Sequence, residues 1–182
     1  MKKTLLVHFY GRRLRCLVAS AAILISHPPV SAVTLGDSAP DFKLESRLGE
    51  LQLSRYKGHL VYLDFWATWC APCRQSLPWM HDMQSRYGAK GLRIVAVNLD
   101  VNRAEAMQFL RSIPMSFDVA FDPVGDVPKN YRIKAMPTSL LIGPDGRVIA
   151  IHKGFRLEDT AEIEAQIAQY LQQMPVNFRA TK

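Results

Sequence analysis

The sequence predicts an α/β fold in which a mixed central β-sheet has helices on both faces and carries an N-terminal β-hairpin extension. Two nearly continuous apolar runs, residues 59–67 and 92–100, are typical of strands that are buried on both faces. Between and after these runs, apolar residues recur every three to four positions, which is the period of a helix. Strands that alternate with helices in this way indicate a sheet covered by helices.

The first elements follow from local patterns. In residues 39–58, apolar and polar residues alternate on both sides of Gly49, which predicts a short hairpin. The first buried strand comes next. The apolar period then becomes helical from Cys70 to Tyr87, and the glycines that follow are expected to end that helix.

The second half of the chain continues the alternation. Asn102 is predicted to cap a helix, because its side chain can accept a hydrogen bond from the first turn. The stretch "GPDG" is a tight turn between two strands of a hairpin. The predicted elements are strand 92–100, helix 102–113, a short strand in 117–122, a helical turn in 127–133, strands 138–143 and 147–154, and a closing helix in 157–174.

Residues 1–32 have the pattern of a secretory signal peptide. A basic stretch ends at Arg15, an apolar core covers residues 16–25, and Val30 and Ala32 are small enough for cleavage after Ala32. The core is shorter than the roughly 20 apolar residues of a membrane span. Cleavage and export to the periplasm are therefore expected, and an uncleaved membrane anchor is the alternative.

The rest of the chain is predicted to form one domain, residues 33–175, followed by a short tail, residues 176–182. The net charge is +7, but the first 32 residues hold five basic residues and no acidic one. The remainder has 18 basic and 16 acidic residues, so its charge is nearly balanced. Binding to nucleic acid, which needs a strongly basic surface, is not expected.

Two of the three cysteines, Cys70 and Cys73, are two residues apart where the first buried strand gives way to a helix. A helix N-terminus stabilises a thiolate and lowers the pKa of its cysteine. Pro72 fits the first helical turn, where its missing N–H costs nothing. A structural disulfide of this spacing adds little stability, and the isolated histidines do not complete a zinc site. Redox chemistry is the favoured interpretation.

Three further stretches support this interpretation: "APDFKL", "LSRYKGHLVYLDFWATWCAPC" and "RIKAMPTSLLIGPDGRV". Together they resemble the TlpA/ResA-type periplasmic thiol–disulfide oxidoreductases of the thioredoxin superfamily, over residues 36–173. Pro78 stands where that family kinks its active-site helix. The resemblance implies a thioredoxin-like fold and thiol–disulfide exchange without a cofactor or metal. It also implies that the substrates are disulfide-bearing exported proteins.

The resemblance implies roles for individual residues as well. Cys70 matches the attacking thiolate and Cys73 the resolving thiol, with a Cys70–Cys73 disulfide as the oxidised state. Pro137 matches the cis-proline that faces the disulfide, which leaves the Met136 backbone free to pair with an extended substrate. Trp69 matches an aromatic flank of the active site. The residues expected to bind substrate are Pro72, Met136 and Thr138.

Asp64 lies within the first apolar strand, with Tyr62 and Trp66 as its neighbours on the same face. The resemblance to thioredoxins implies that Asp64 is a buried proton acceptor for Cys73, with a pKa that burial raises. A hydrogen-bonded structural aspartate is the alternative. Many relatives carry Asn at this position and Glu three residues after the second cysteine, where this chain has Ser76.

The pair between the cysteines, Ala71 and Pro72, supplies neither charge nor a proton donor to stabilise the thiolate. A reductase is therefore expected, with an oxidant or isomerase as the alternative. Its oxidised form would be reduced again by a membrane thiol–disulfide electron donor. Cytochrome c maturation and copper-site assembly are candidate pathways, and a monomer is expected.

The sequence also bears on two functions other than the reduction of disulfides. A copper-handling protein is an alternative because "MHDM", residues 80–83, offers Met and His near the cysteines. However, Met80 and Met83 fit the apolar stripe of a helix, which favours a packing role. A peroxidase is disfavoured, since the residues before Cys70 lack the Pro-x-x-x-Thr/Ser-x-x-Cys arrangement of a peroxidatic cysteine.

Overall fold

The structure, a computed structural model, describes residues 32–174. Apart from Ala32, the predicted signal peptide lies outside the described residues, and so does the predicted tail. No helix in residues 32–174 is long and apolar enough to cross a membrane. In chain order the elements are β1 (Lys43–Ser46), β2 (Gly49–Gln52), β3 (Leu60–Trp66), α1 (Ala71–Tyr87), β4 (Leu92–Asn98), α2 (Arg103–Leu110), β5 (Asp118–Phe121), α3 (Asp126–Tyr131), β6 (Thr138–Ile142), β7 (Val148–Lys153) and α4 (Thr160–Gln173).

The strands form one mixed sheet in the order β2-β1-β5-β4-β3-β6-β7. β3, β4 and β5 are parallel, and β6 pairs antiparallel with both β3 and β7. β1 and β2 form the predicted hairpin, with Leu44 opposite Leu51, and β1 also pairs with β5. The predicted fold class is therefore confirmed, including the N-terminal hairpin extension.

β3 is buried along its whole length, and its side chains alternate between the two faces of the sheet. Leu60, Tyr62 and Trp66 belong to a core that includes residues of α1, α2 and α4. Val61 and Phe65 belong to a second core, which α3 and the hairpin region cover. We call these sides the α1 face and the α3 face. Each large apolar side chain buried in them contributes about 1.5–3 kcal/mol of transfer free energy.

Helix α1 begins one residue later than the sequence predicts, because Cys70 has an extended backbone and acts as its N-cap. Pro72 lies in the first turn, as predicted. Pro78 lies inside the helix, where it cannot donate the usual backbone hydrogen bond. The apolar stripe of α1 faces the core and includes the buried residues Leu77, Met80 and Met83.

Helix α2 confirms the predicted cap but is shorter than expected. The Asn102 side chain accepts a hydrogen bond of 3.0 Å from the Ala104 N–H. The helix ends at Leu110 rather than at residue 113. The Ser112 hydroxyl donates to the Phe109 carbonyl at 2.6 Å, and this local bond competes with continuation of the helix.

Helix α4 packs beside α1 and is joined to it by polar contacts. It begins at Thr160, after a 3₁₀ turn at Leu157–Asp159. The Glu164 carboxylate accepts hydrogen bonds from Arg86 and, at 2.8 Å, from the Tyr87 hydroxyl. These contacts fix the far end of the helix that carries the cysteines. The predicted apolar stripe of α4 is buried and consists of Ile163, Ile167 and Leu171.

Candidate active site

The two cysteines lie at the N-terminus of α1 and are joined by a disulfide, with their Cα atoms 5.2 Å apart. Cys70 keeps a small exposed fraction of 6%, whereas Cys73 is completely buried at 0%. Attack on another protein requires access to solvent, so Cys70 is the cysteine that a substrate can reach. Cys73 has no exposed surface in the disulfide-bonded state.

A buried carboxylate holds the loop that leads into the cysteines. Asp100 accepts hydrogen bonds from the Thr68 N–H at 3.0 Å and from the Thr68 hydroxyl at 2.9 Å. The Asn98 side-chain amide donates to the same carboxylate at 2.7 Å. Asp100 was not among the residues predicted for the site. Its position just beyond a buried parallel strand, at the edge of the sheet where the cysteines also lie, was the available signal.

Trp69 stands directly before Cys70 and is 67% exposed, which is unusual for a large aromatic side chain. Pro72 is half-buried between the cysteines. On the other side of Cys73, the Arg74 guanidinium donates to the Thr68 carbonyl at 2.7 Å. In the chain, the accessible cysteine is therefore preceded by an exposed aromatic residue and followed, four residues later, by a cation hydrogen-bonded to the loop.

The Met136–Pro137 peptide bond is cis. It immediately precedes β6, whose first residue, Thr138, pairs with Phe65 near the end of β3. The Pro137 carbonyl accepts a hydrogen bond of 2.8 Å from the Gly154 N–H. Met136 packs against the core that contains both cysteines. The cis-proline segment and the disulfide therefore share one edge of the sheet.

Asp64 is 1% exposed and belongs to the α1 face of β3. Its neighbours across the sheet are Ala96 and Ser139, and no basic residue pairs with it in the register. Within residues 32–174, its Oδ2 atom has no hydrogen-bond partner. Burial raises the pKa of the Asp64 carboxyl group well above its usual value.

An aromatic and polar cluster adjoins Asp64. The Tyr62 hydroxyl and the Ser139 hydroxyl share a hydrogen bond of 2.7 Å. The Tyr62 ring packs edge-on against Trp79, with centroids 5.6 Å apart, and stacks with His152 at 6.2 Å. Burial, and then the nearby Asp64 carboxylate, raise the pKa of the Tyr62 hydroxyl. Tyr62 and Ser139 satisfy each other, whereas Asp64 Oδ2, Trp79 Nε1 and His152 Nδ1 have no hydrogen-bond partner within residues 32–174.

Comparison with known proteins agrees with this geometry. The model of the AhpC/TSA family matches residues 35–151.

The chain belongs to the AhpC/TSA family.

Among proteins similar to this family member is thiol-disulfide oxidoreductase ResA of Oceanobacillus iheyensis. It is 40% identical over 133 residues, which cover 70% of this chain and 69% of that protein. ResA of Bacillus thuringiensis subsp. konkukian is 36% identical over 141 residues, which cover 77% of this chain and 78% of that protein. A crystal structure from Chlorobium tepidum, assigned to a thiol:disulfide interchange protein DsbE, has a TM-score of 0.75 and 51% identity. It covers 77% of this chain and 99% of that one.

This member of the AhpC/TSA family is a thiol–disulfide oxidoreductase with a thioredoxin-like fold. The predicted resemblance to ResA-type oxidoreductases is confirmed. The pair Cys70 and Cys73 is at disulfide distance, as the redox interpretation requires.

Other sequence features of this family member are explained by packing. Ser76 is buried, and its hydroxyl donates to the Cys73 carbonyl at 2.9 Å. No carboxyl group thus occupies the helix position where many relatives carry Glu. Met80 and Met83 are completely buried at 0% exposure, so their sulfur atoms are not available to a copper ion at the surface. Within residues 32–174, no three His, Cys, Asp or Glu side chains group in a way that could hold a metal.

Proposed function

We propose that the chain reduces disulfides of exported proteins, using Cys70 and Cys73 as a two-electron dithiol. The observation that carries this proposal is the contrast between an accessible Cys70 at a helix N-terminus and a buried Cys73 on the same face as the unpaired carboxyl group of Asp64. The direction is supported by Ala71 and Pro72, which place no cation or proton donor beside the thiolate.

The first step begins from the reduced protein. The Cys70 thiolate attacks one sulfur of the substrate disulfide, a Cys70–substrate disulfide forms, and the other substrate sulfur leaves as a thiolate that takes a proton from water. The N-terminus of α1 favours the attacking thiolate through the helix dipole.

The second step releases the substrate. Cys73 gives its proton to Asp64, and the Cys73 thiolate attacks the Cys70 sulfur of the mixed disulfide. The Cys70–Cys73 disulfide forms, and the second substrate thiolate leaves. Two electrons have then passed from the protein dithiol to the substrate disulfide. Burial raises the pKa of the Asp64 carboxyl group, which makes its carboxylate a stronger base toward the Cys73 thiol.

Substrate positioning is assigned to the edge of the sheet beside the disulfide. An extended substrate segment pairs with the Met136 backbone as an added strand, next to the cis bond that precedes Pro137. Trp69 supplies an exposed apolar surface for the partner. Pro72 and Thr138 flank the reacting sulfurs.

We also propose where this reaction takes place. Residues 1–32 serve as an export signal, and the mature domain works in the periplasm as a monomer. Each turnover leaves an oxidised protein, so a dithiol donor must reduce it again, and we assign that role to a membrane thiol–disulfide protein. Keeping exported cysteines reduced in an oxidising compartment requires such a supply of electrons.

The test is the reduction potential of the Cys70–Cys73 pair, measured by equilibration with defined thiol–disulfide buffers. A value near that of thioredoxin, about −270 mV, is expected for a reductase. A value near that of DsbA, about −120 mV, would overturn the proposed direction in favour of an oxidant. In parallel, Cys73→Ser should accumulate a mixed disulfide with an oxidised protein substrate, and Cys70→Ser should form none.

A further inference from the structure

A cavity of about 270 Å³ opens on the α3 face beside the cis-proline segment. Ala135 and Thr138, the residues on either side of the Met136–Pro137 bond, both line it. The rest of its wall is mostly apolar and includes Tyr131, Ile133, Leu140 and Ile151.

The cavity is separate from the redox centre. In β6, Leu140 belongs to the core on the α3 face, whereas Leu141 belongs to the core on the α1 face. Ser139, which lies opposite Asp64, therefore points away from the cavity. The α3-face cavity and the proton acceptor are on opposite sides of one strand. No step of the electron transfer described above uses it.

Three basic residues also line the α3-face cavity: Arg132, Lys134 and Lys153. All three are exposed, and no Asp or Glu contributes to the wall. Throughout residues 32–174, none of these three side chains has a hydrogen bond or an ion pair. Six of the other thirteen Lys and Arg residues in 32–174 do have an acidic partner, as Lys129 has Asp126.

Two of the basic residues lie close to the segment that is proposed to pair with the substrate. Lys134 is two residues before Met136, and Lys153 is the register partner of Thr138 on the edge strand β7. Arg132 has a left-handed backbone, φ 53°, a conformation that glycine adopts more easily. Lys134 and Lys153 therefore lie beside the cis-proline segment with which an added substrate strand would pair.

The size of the cavity indicates what can occupy it. Small-molecule pockets are commonly about 300–1,000 Å³, and this cavity is smaller. It is suited to one or two apolar side chains of an extended chain. The surrounding uncompensated positive charge is complementary to acidic side chains on the same chain.

Resting on the proposed function, we infer that the α3-face cavity is a specificity subsite for the substrate protein. It binds a segment beside the reactive cysteine that carries acidic residues and at least one apolar side chain. The apolar side chain enters the cavity, and the acidic residues contact Arg132, Lys134 and Lys153. The subsite selects among disulfide-bearing proteins and takes no part in the transfer of electrons.

The test compares two synthetic peptides of equal length that contain the same disulfide. One has Leu and two Glu residues beside the cysteine, and the other has Leu and two Lys residues. The reduced full-length chain is mixed with each peptide, and the rate of peptide reduction is measured. Each rate is divided by the rate with dithiothreitol, because flanking charge changes the intrinsic reactivity of a disulfide.

The acidic peptide is expected to react roughly tenfold faster at low ionic strength, and the preference should shrink with added salt because rim charges act through association. Lys134→Glu and Lys153→Glu should abolish or invert it. Lys57→Glu is the matched control, since this exposed lysine precedes β3 at the opposite end of the sheet. Replacing Leu with Gly in the acidic peptide should also slow its reduction.

Two outcomes would overturn the inference while leaving the reductase intact. The first is equal normalised rates for the two peptides. The second is a preference that changes as much in Lys57→Glu as in Lys134→Glu, which would reflect overall charge. If size-exclusion chromatography shows a dimer that only Lys134→Glu disrupts, and the peptide preference is absent, a second copy occupies the cavity instead. If neither peptide is reduced, the proposed function is overturned together with the inference that rests on it.

Discussion

Asp64 and Ser139 lie opposite each other on β3 and β6, yet of these two side chains only that of Ser139 has its hydrogen-bonding capacity met by a neighbour. The Ser139 hydroxyl is paired with Tyr62, while Asp64 Oδ2 has no hydrogen-bond partner among residues 32–174. Desolvation of the Asp64 carboxyl group is therefore not compensated, and its pKa is raised. The ionised form of Asp64 is costly to the folded protein, and this cost can be measured.

Asp64→Asn is expected to raise the free energy of unfolding of the oxidised protein at neutral and alkaline pH. When folding raises the pKa of a carboxyl group, the native state is fully stable below the unfolded pKa, about 3.9. Stability is then lost as the pH rises through the folded pKa. The advantage of the variant should grow with pH, by at most about 1.4 kcal/mol per unit.

Urea unfolding at a series of pH values measures this difference. Asp145→Asn is the control, because the Asp145 side chain is 63% exposed and its replacement should give no comparable pH trend. An Asp64→Asn effect that stays constant with pH would mean that the carboxyl group titrates normally.

Asp64→Asn is also expected to slow the second step of the reaction, because Cys73 loses its proton acceptor. The rate at which the second substrate thiolate is released should fall roughly 10²-fold, as is typical for loss of a general base. Formation of the mixed disulfide at Cys70 should change little. Stopped-flow measurements with a substrate whose first leaving thiol is chromogenic separate the two steps.

The control for this kinetic prediction is Ser139→Ala, which removes the neighbouring hydroxyl and keeps the carboxyl group. It should leave the ratio of the two steps almost unchanged. Equal slowing of both steps in Asp64→Asn would assign this residue a structural role, the alternative that the sequence also allowed.

Asp100→Ala is expected to destabilise the loop before Cys70. The change leaves the Thr68 N–H and hydroxyl and the Asn98 amide without their acceptor. A buried donor without a partner costs about 1–3 kcal/mol, so a total loss of roughly 3 kcal/mol in the free energy of unfolding is expected. Glu158→Ala is the control. The Glu158 side chain pairs with Arg156 but is 72% exposed, so its removal should lower the free energy of unfolding only slightly.

The Asp100→Ala experiment has a second readout at the cysteine. The rate of alkylation of reduced Cys70 should change, because the loop that positions this N-cap residue of α1 is no longer fixed. If stability and alkylation both match the wild type, the hydrogen bonds to Asp100 are not what positions the loop.

Trp69→Ala is expected to affect reactivity toward proteins without affecting stability. The side chain is 67% exposed, so the free energy of unfolding should change by less than about 0.5 kcal/mol. Reduction of an oxidised protein substrate should slow several-fold, while reduction of a small disulfide such as hydroxyethyl disulfide should not. Trp66→Ala should instead affect stability. Because Trp66 is fully buried, its loss should lower the free energy of unfolding by about 3–5 kcal/mol.

Local patterns were sufficient to predict the elements of this fold. Apolar runs identified β3 and β4, alternation around Gly49 identified the hairpin, and Asn102 identified a helix cap. The family resemblance supplied the residue of the cis bond, which periodicity alone does not reveal. These features depend on residues that are near one another in the chain.

Features that depend on strand register could not be predicted in the same way. The contact of Thr68 with Asp100 spans 32 positions, and that of Tyr62 with Ser139 spans 77. Nothing local to these residues shows which strands are adjacent or which residues are opposite. The grouping of Lys134 with Lys153 around one cavity likewise exists only after β6 and β7 have paired.

The alternation of β6 has a consequence for how this protein can change. Ser139 and Leu141 point to the α1 face, where Asp64 is proposed to accept a proton, and Leu140 points to the side with the cavity. A substitution among Arg132, Lys134 and Lys153 can therefore alter which proteins are chosen without disturbing the energetics of the cysteine pair. Partner choice and redox potential are free to evolve independently, although they are built on successive residues of one strand.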